Sequence, residues 1–162
     1  MYPPKKTRTA ATEETGRADR PESVQKVVTL AVSPFREDRI SLRQIFSHTR
    51  WKLQEADTLG EAVELVREQL IPVVVSESKL PDGNWKDLLE RLSELPHPPC
   101  LIVSSRLPDD HLWAEVLNLG GYDLLPKPFD SREVTRVISL AWLHWKGQWE
   151  RAFRSPKVLR AT

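Results

Sequence analysis

The amino-acid sequence predicts an α/β domain with a doubly wound, five-stranded parallel sheet and helices on both of its faces. Short apolar runs typical of buried strands alternate five times with segments whose apolar residues recur at helical spacing. The connections between these elements are short, and a helix that joins neighbouring parallel strands forms a right-handed crossover. About 120 residues remain once the polar ends are set aside, which is enough for one buried core.

The first two strand–helix units are predicted between residues 27 and 70. Residues 27–32 form a β-branched apolar run with the length of a strand buried on both faces. The helix that follows carries apolar residues at Phe35, Leu42, Ile45 and Phe46. The second unit joins an alternating strand at 51–55, typical of a sheet edge, to a helix that starts at a capping box, Thr58-x-x-Glu61.

Apolar runs at 73–75, 100–103 and 122–125 predict the third, fourth and fifth strands. A turn at Pro81-Asp82-Gly83 precedes the third helix, and Gly120-Gly121 ends the fourth. The units therefore follow one another in the order expected for a doubly wound sheet.

Composition and charge argue against several classes of function. The chain has 24 Lys and Arg against 23 Asp and Glu, so no domain-wide basic field favours nucleic acid as the partner. Its one cysteine, Cys100, allows no internal disulfide and favours a cytoplasmic location. No apolar run reaches the ~18 residues of a membrane span. Residues 1–23 are polar and are predicted to be a disordered tail.

The usual signatures of enzymes and cofactor-binding proteins are missing from the sequence. It contains no glycine-rich phosphate loop, Ser-x-Gly elbow or Cys-x-x-Cys pair. Its histidines lack the i, i+4 spacing of a metal-binding pair. We therefore predict no catalytic residue, no bound metal and no cofactor.

Polar residues directly after four of the predicted strands form the candidate site. In doubly wound sheets, ligands bind beyond the carboxyl ends of the strands. There the sequence places Ser33-Pro34, Glu77, Ser104 and Lys127. These residues decide what the domain can do.

Together with the Pro81-Asp82-Gly83 turn and the run YDLLPKPF at 122–129, these residues resemble the receiver domain of bacterial two-component response regulators. The resemblance covers residues 24–143 and implies the flavodoxin-like strand order 2-1-3-4-5. It implies that Glu77 stands where the family has the Asp that accepts a phosphoryl group from a histidine kinase. Ser104 and Lys127 then match the hydroxyl and the cation that contact this group.

The same resemblance implies losses at three positions. Ser33 and Pro34 replace two acidic residues that hold Mg²⁺ in the family, and Leu124 stands at or beside the aromatic residue that reorients on activation. Mg²⁺ prefers carboxylate oxygens, and phosphoryl transfer depends on the charge that it neutralises. Glu37 and Asp38 are expected in the loop or first helical turn, several Å beyond the site. The chain is therefore interpreted as a degenerate pseudo-receiver without enzymatic activity.

Glu77 leaves two interpretations open. Its longer side chain places the carboxylate nearer to where a phosphoryl group would lie, where it could pair with Lys127, accept a hydrogen bond from Ser104 and mimic the phosphorylated state. Alternatively, Glu77 is a solvated loop carboxylate or an ordinary ion-pair partner of Lys127. A further hypothesis is a working phosphoacceptor with altered chemistry at Glu77, Ser76 or Asp82.

The predicted last helix, capped by Asp130 or Ser131, continues past the usual family end into a Trp-rich basic extension and tail at 144–162. Its rings at Trp142, Trp145, Trp149 and Phe153 are a candidate interface for a protein partner or a second copy; the alternative is that they pack on the domain. The first hypothesis is thus a signalling protein-interaction module that uses this helix or the face of the fourth helix, fifth strand and fifth helix. A third is a nucleic-acid or membrane adaptor that uses the basic tail; the alternative is a solvated helix end.

Overall fold

The described part of the chain, residues 27–154 of a computed structural model, is built around a five-stranded parallel sheet. Its strands are β1 (Val28–Val32), β2 (Lys52–Ala56), β3 (Val73–Glu77), β6 (Cys100–Ser105) and β7 (Asp123–Pro126). They lie in the order β2-β1-β3-β6-β7. With the large strands counted in sequence, this is the order 2-1-3-4-5, so the predicted fold is confirmed.

Five helices connect and cover the strands: α1 (Arg36–Ser47), α2 (Leu59–Glu68), α3 (Trp85–Ser93), α4 (Asp110–Leu119) and α5 (Ser131–Arg154). Several of their predicted end signals are confirmed. The Thr58 side chain accepts a hydrogen bond from the Glu61 backbone N–H at the start of α2, and Asp130 accepts one from the Glu133 N–H in α5. Gly120 ends α4 in the left-handed region, at φ 109°, which favours glycine.

A separate apolar core lies on each face of the sheet. On one face, alternate strand residues such as Val74 pack with α2, α3 and the buried Val116 of α4. On the other, Val73 and Val75 pack with α1 and with α5 residues such as Ile138. The central strand β3 is buried along its whole length. This two-sided burial explains why β3 reads as a continuous apolar run rather than as an alternating one.

The connection from β3 to α3 contains more structure than the predicted turn. Strands β4 (Lys79–Leu80) and β5 (Gly83–Asn84) form a small antiparallel hairpin around the residue pair Pro81-Asp82. The Asp82 carboxylate accepts hydrogen bonds from the backbone N–H groups of Leu59, at 2.8 Å, and Gly60, at 3.0 Å. These bonds favour the charged carboxylate, lower the pKa of Asp82 and fasten the hairpin to the start of α2.

The last helix continues without interruption to Arg154, past the family end that the resemblance implied. The predicted disordered tail at 1–23 and the end of the basic tail at 155–162 lie outside the described residues. Between residues 27 and 154, no helix is both long enough and apolar enough to span a bilayer.

Replacing Asp82 by Ala should lower the free energy of unfolding at pH 7 by about 1 kcal/mol, because two helix N–H groups lose their acceptor. The pKa of Asp82 is lower in the folded state than its ordinary value near ~3.9. Its stabilising effect is therefore present above that value and is lost as pH falls through the folded pKa. Urea unfolding of the native chain and of Asp82→Ala should converge as the pH is lowered through the folded pKa of Asp82.

Glu90→Ala is the matched control, since Glu90 is an exposed α3 carboxylate with no side-chain hydrogen bond or ion pair inside the range 27–154. Its effect should stay within about 0.5 kcal/mol at every pH. An Asp82→Ala deficit that does not change with pH would contradict the assigned role of the carboxylate.

Candidate functional site

The candidate site is a buried charge cluster around Lys127, the residue that follows β7. The Lys127 side chain is only 4% exposed. Its ammonium nitrogen lies 2.8 Å from Asp38 Oδ2 and 2.9 Å from a carboxylate oxygen of Glu77. Asp38 and Glu77 are also buried. One cation therefore faces two carboxylates in a largely buried place, where an unpaired charge is costly.

The sheet itself brings two members of the cluster together. Glu77 is the last residue of β3 and is paired in register with Ser104 of β6. The Lys127 backbone N–H donates to the Ser105 carbonyl at 3.0 Å, which extends the pairing between β6 and β7 by one residue. The structure therefore places Glu77, Ser104 and Lys127 at the carboxyl ends of neighbouring strands.

The third member of the cluster, Asp38, contradicts the prediction from the sequence. Asp38 was expected several Å beyond the site, but its carboxylate contacts Lys127 directly. The connection from β1 to α1 is only three residues long, so the first turn of the helix lies over the strand ends. Ser33 shapes this connection: its hydroxyl donates to Asp38 Oδ2 at 2.7 Å and accepts from the Phe35 N–H at 3.1 Å. Glu37 stays outside, as predicted, and pairs with Arg106.

One alternative proposed for Glu77, a solvated loop carboxylate, is wrong, and so is its expected hydrogen bond from Ser104. Glu77 is not a solvated loop carboxylate, because it is a buried strand residue paired with Lys127. The Ser104 hydroxyl does not donate to Glu77; it donates to the Ser76 carbonyl at 3.3 Å. This main-chain acceptor lies one residue before Glu77 on the neighbouring strand β3.

The donor atoms at the cluster do not suit the Mg²⁺ that the resemblance implies. Mg²⁺ needs near-octahedral oxygen ligands, whereas both carboxylates here already face the Lys127 ammonium. The Ser33 hydroxyl proton is directed at Asp38, and Pro34 has no side-chain donor. In the range 27–154, no three His, Cys, Asp or Glu side chains are grouped to hold a metal ion. A divalent cation would have to approach the ammonium closely, which like charge opposes.

Leu124, which the resemblance sets at or beside the aromatic switch residue of the family, lies in the apolar core on the α4 side of the sheet. It is buried against a cluster that includes Val103 and Val116. The side chain has no aromatic ring to reorient, and movement towards solvent would expose apolar surface.

Two cavities flank Lys127. The larger, about 530 Å³, lies between the β4–β5 hairpin with the start of α3 on one side and the start of α4 on the other, and we call it the α3–α4 groove. The smaller, about 430 Å³, is bounded by the start of α1 and by Pro128 and Phe129. The Phe35 ring lines the α3–α4 groove, and its centroid lies 5.1 Å from the Lys127 ammonium.

The aromatic residues of the α5 extension mostly pack on the domain. Trp145 is only 2% exposed, so its prediction as an exposed interface residue is wrong. It stacks with Trp149 at 5.3 Å, and Trp149 in turn contacts Phe153 and His97, each at 4.7 Å between ring centroids. The loop between α3 and β6, which carries His97, thus meets the extension. Phe153 is 62% exposed and remains available as an interface residue.

Other reactive side chains in the described range offer little chemistry. Burial raises the pKa of the Cys100 thiol to about 11, so its thiolate is scarce at neutral pH. Trp142 is half-buried in the α5-side core, and the Lys146 ammonium lies 5.0 Å from its ring centroid. His144 contacts the Tyr122 ring. We find no second catalytic arrangement among these groups.

Comparisons with known proteins agree on one family. A model of the response regulator receiver domain matches residues 36–139. The signal receiver domain of an HD domain-containing protein from Pseudomonas fluorescens is 26% identical, with a TM-score of 0.71 over 78% of this chain and 93% of that chain. The beryllofluoride-activated NtrC4 receiver domain dimer is 24% identical, with a TM-score of 0.68 over 73% of this chain and 98% of that chain, and supports the fold.

A curated relative is much longer than the part that this chain matches. Sensory transduction protein LytT of Enterococcus faecalis is 32% identical over 87 residues, which are 54% of this chain and 35% of that protein. The chain therefore spans about a third of the length of this relative.

Replacing Lys127 by Met should lower the free energy of unfolding by about 3–5 kcal/mol, because it leaves two buried carboxylates without their cation. Adding Asp38→Asn and Glu77→Gln to Lys127→Met should recover most of this loss, since the remaining groups are uncharged. Chemical unfolding of the single and triple variants at pH 7 measures both effects.

The matched control is Lys146→Met, which removes an ammonium that lies over the Trp142 ring. It should cost about 1 kcal/mol or less. If Lys127→Met were no more costly than this control, the cluster would not be the stabilising centre described above.

Proposed function

The chain belongs to the response regulator receiver domain family, and on this premise we propose that it is a phosphorylation-independent pseudo-receiver that acts by binding another protein. Receiver domains are signalling modules, and the family model matches most of the described chain. In this proposal Glu77 occupies the phosphoacceptor position, Ser33 and Pro34 the positions of the lost acidic residues, and Ser104 and Lys127 the remnants of the phosphate site.

The observation that carries the proposal is the neutralisation of Lys127 by two buried carboxylates, Asp38 and Glu77. A phosphoryl group would bring about −1.5 to −2 further charge into this cluster. The only cation of the cluster is already shared between two anions. Because no group of three acidic, His or Cys side chains within residues 27–154 is placed to hold a divalent ion, the added charge would stay uncompensated there, which disfavours transfer.

The surroundings of the cluster support a single conformational state. Glu77 supplies Lys127 with a permanent anionic partner at the phosphoacceptor position. Ser104 is occupied by a strand carbonyl, and Leu124 is part of the apolar core. In this proposal the partner-binding surface forms without a phosphoryl group, and the domain signals through that surface.

Other proposed phosphoacceptors have less support. Ser76 is fully buried, and its hydroxyl donates to the Glu77 carbonyl at 2.9 Å. The Asp82 carboxylate is engaged by the start of α2. Neither group is presented to a phosphoryl donor beside Lys127.

The surface that we propose for partner binding comprises α4, β7 and α5, together with Phe153. Exposed large apolar residues occur on both helices: Trp113 and Leu117 on α4, and Leu140 and Leu143 on α5. Such residues are typical anchors of protein interfaces. The NtrC4 receiver domain forms a dimer, so association between two copies of this chain is one form that binding can take.

Incubation with acetyl phosphate and Mg²⁺ should leave the mass of the native chain unchanged, because the cluster offers neither a metal site nor a free cation. Intact-mass spectrometry tests this. A stoichiometric gain of one phosphoryl group by the native chain would overturn the proposal.

The variant Ser33→Asp, Pro34→Asp, Glu77→Asp restores the family's acidic residues at the matched positions and is the comparison for this assay. It should gain one phosphoryl group under the same conditions. Glu77→Asp alone should remain unmodified, since Ser33 and Pro34 still cannot bind Mg²⁺.

A further inference from the structure

We propose that the α3–α4 groove binds an acidic peptide segment of a protein partner, with one or two apolar side chains of that segment inserted between Phe35 and Leu107. The groove lies at the carboxyl ends of the strands and is lined from the β1–α1 connection, the hairpin, α3 and the start of α4. It adjoins the α4–β7–α5 surface but uses other residues of α4: Leu112 and Glu115 line the groove, whereas that surface presents Trp113 and Leu117. The inference deepens the proposed function by stating the chemistry of the partner, and it rests on that function only in taking the domain to act by binding.

Two unusually exposed apolar side chains mark the groove. Leu107 is 83% exposed and Phe35 is 45% exposed, and they come from loops that follow different strands. Leu112 and the buried Trp85 continue the apolar lining between the loops and the helices. The cavity of about 530 Å³ accommodates a few side chains rather than a domain. Filling it would remove apolar surface from water, which favours binding.

The charges around this apolar lining select an acidic partner. Lys79, Lys86, Arg106 and Lys127 line the groove against two carboxylates, Glu77 and Glu115. Lys127 and Glu77 neutralise each other inside the cluster. The exposed rim is therefore dominated by Lys79, Lys86 and Arg106.

The rim cations can exchange their present ion-pair partners for carboxylates of a bound peptide at little cost in free energy. Lys86 pairs with Glu115, and Arg106 pairs with Glu37 at 3.0 Å, but all of these side chains are at least partly exposed. Exposed ion pairs contribute little to stability, so carboxylates of a bound segment can replace Glu37 or Glu115. Lys79 is exposed and makes no ion pair with any residue in the range 27–154. A basic segment, by contrast, would meet like charge along the same rim.

The test is a selection of random twelve-residue peptides on the full chain, without any assumed partner sequence. Selected peptides should be rich in Asp and Glu and should contain Leu, Ile, Val or Phe. Their affinity should fall by about tenfold or more between ~0.05 and ~0.5 M NaCl, since the rim pairs are exposed to salt.

Variants with matched controls locate the bound peptide. Lys79→Glu with Arg106→Glu should weaken binding by about tenfold or more, whereas Arg91→Glu, on the exposed far part of α3, should change it by about twofold or less. Leu107→Ser should weaken it by a similar factor, and Ile40→Ser, at an exposed isoleucine on α1 outside both proposed surfaces, should not. Circular dichroism checks that each variant folds.

Three outcomes overturn the inference: no peptide is enriched, the enriched peptides are not acidic, or they bind the groove variants as tightly as the native chain. Each of these leaves the mass measurement with acetyl phosphate unaffected. Conversely, phosphorylation of the native chain would defeat the proposed function without bearing on whether the groove binds acidic peptides.

Discussion

The structure at the carboxyl ends of the strands depends on the neutralisation of one buried ammonium group. Lys127 is almost wholly removed from water and is held by carboxylates from α1 and β3. Removing a charge from water costs several kcal/mol unless partners replace the lost hydration. The contact therefore joins three parts of the chain that are distant in sequence: the first helical turn, the end of the central strand and the connection into α5. The shapes of the loops around it follow from this requirement.

The members of the cluster come from different elements of the receiver fold. Asp38 approaches Lys127 from a helix rather than from the end of β1, and Ser33 orients it. Two anions thereby stabilise the Lys127 ammonium, and the three side chains form a structural connection between α1, β3 and the segment after β7.

Most of the fold could be predicted from local patterns, because burial on two faces, helix caps such as Thr58 and the glycine stop at Gly120 are written in short stretches of sequence. The residues whose positions were predicted wrongly depend on how the elements are arranged in space. Asp38 reaches the site because a three-residue connection sets the direction of α1. The Ser104 hydroxyl could donate to the Glu77 side chain or to the Ser76 carbonyl, and the strand register decides between these acceptors. Trp145 is buried because a distant loop meets the helix extension, which helical spacing alone does not indicate.

The rings of Trp145, Trp149 and Phe153 form a continuous set of contacts at the end of α5, and the latter two also contact His97. Helical turns beyond the support of a sheet usually fray, since their last carbonyls have no intrahelical partners. Here the ring contacts hold those turns against the loop before β6, which opposes fraying. The position of the helix end is therefore tied to that loop as well as to the sheet.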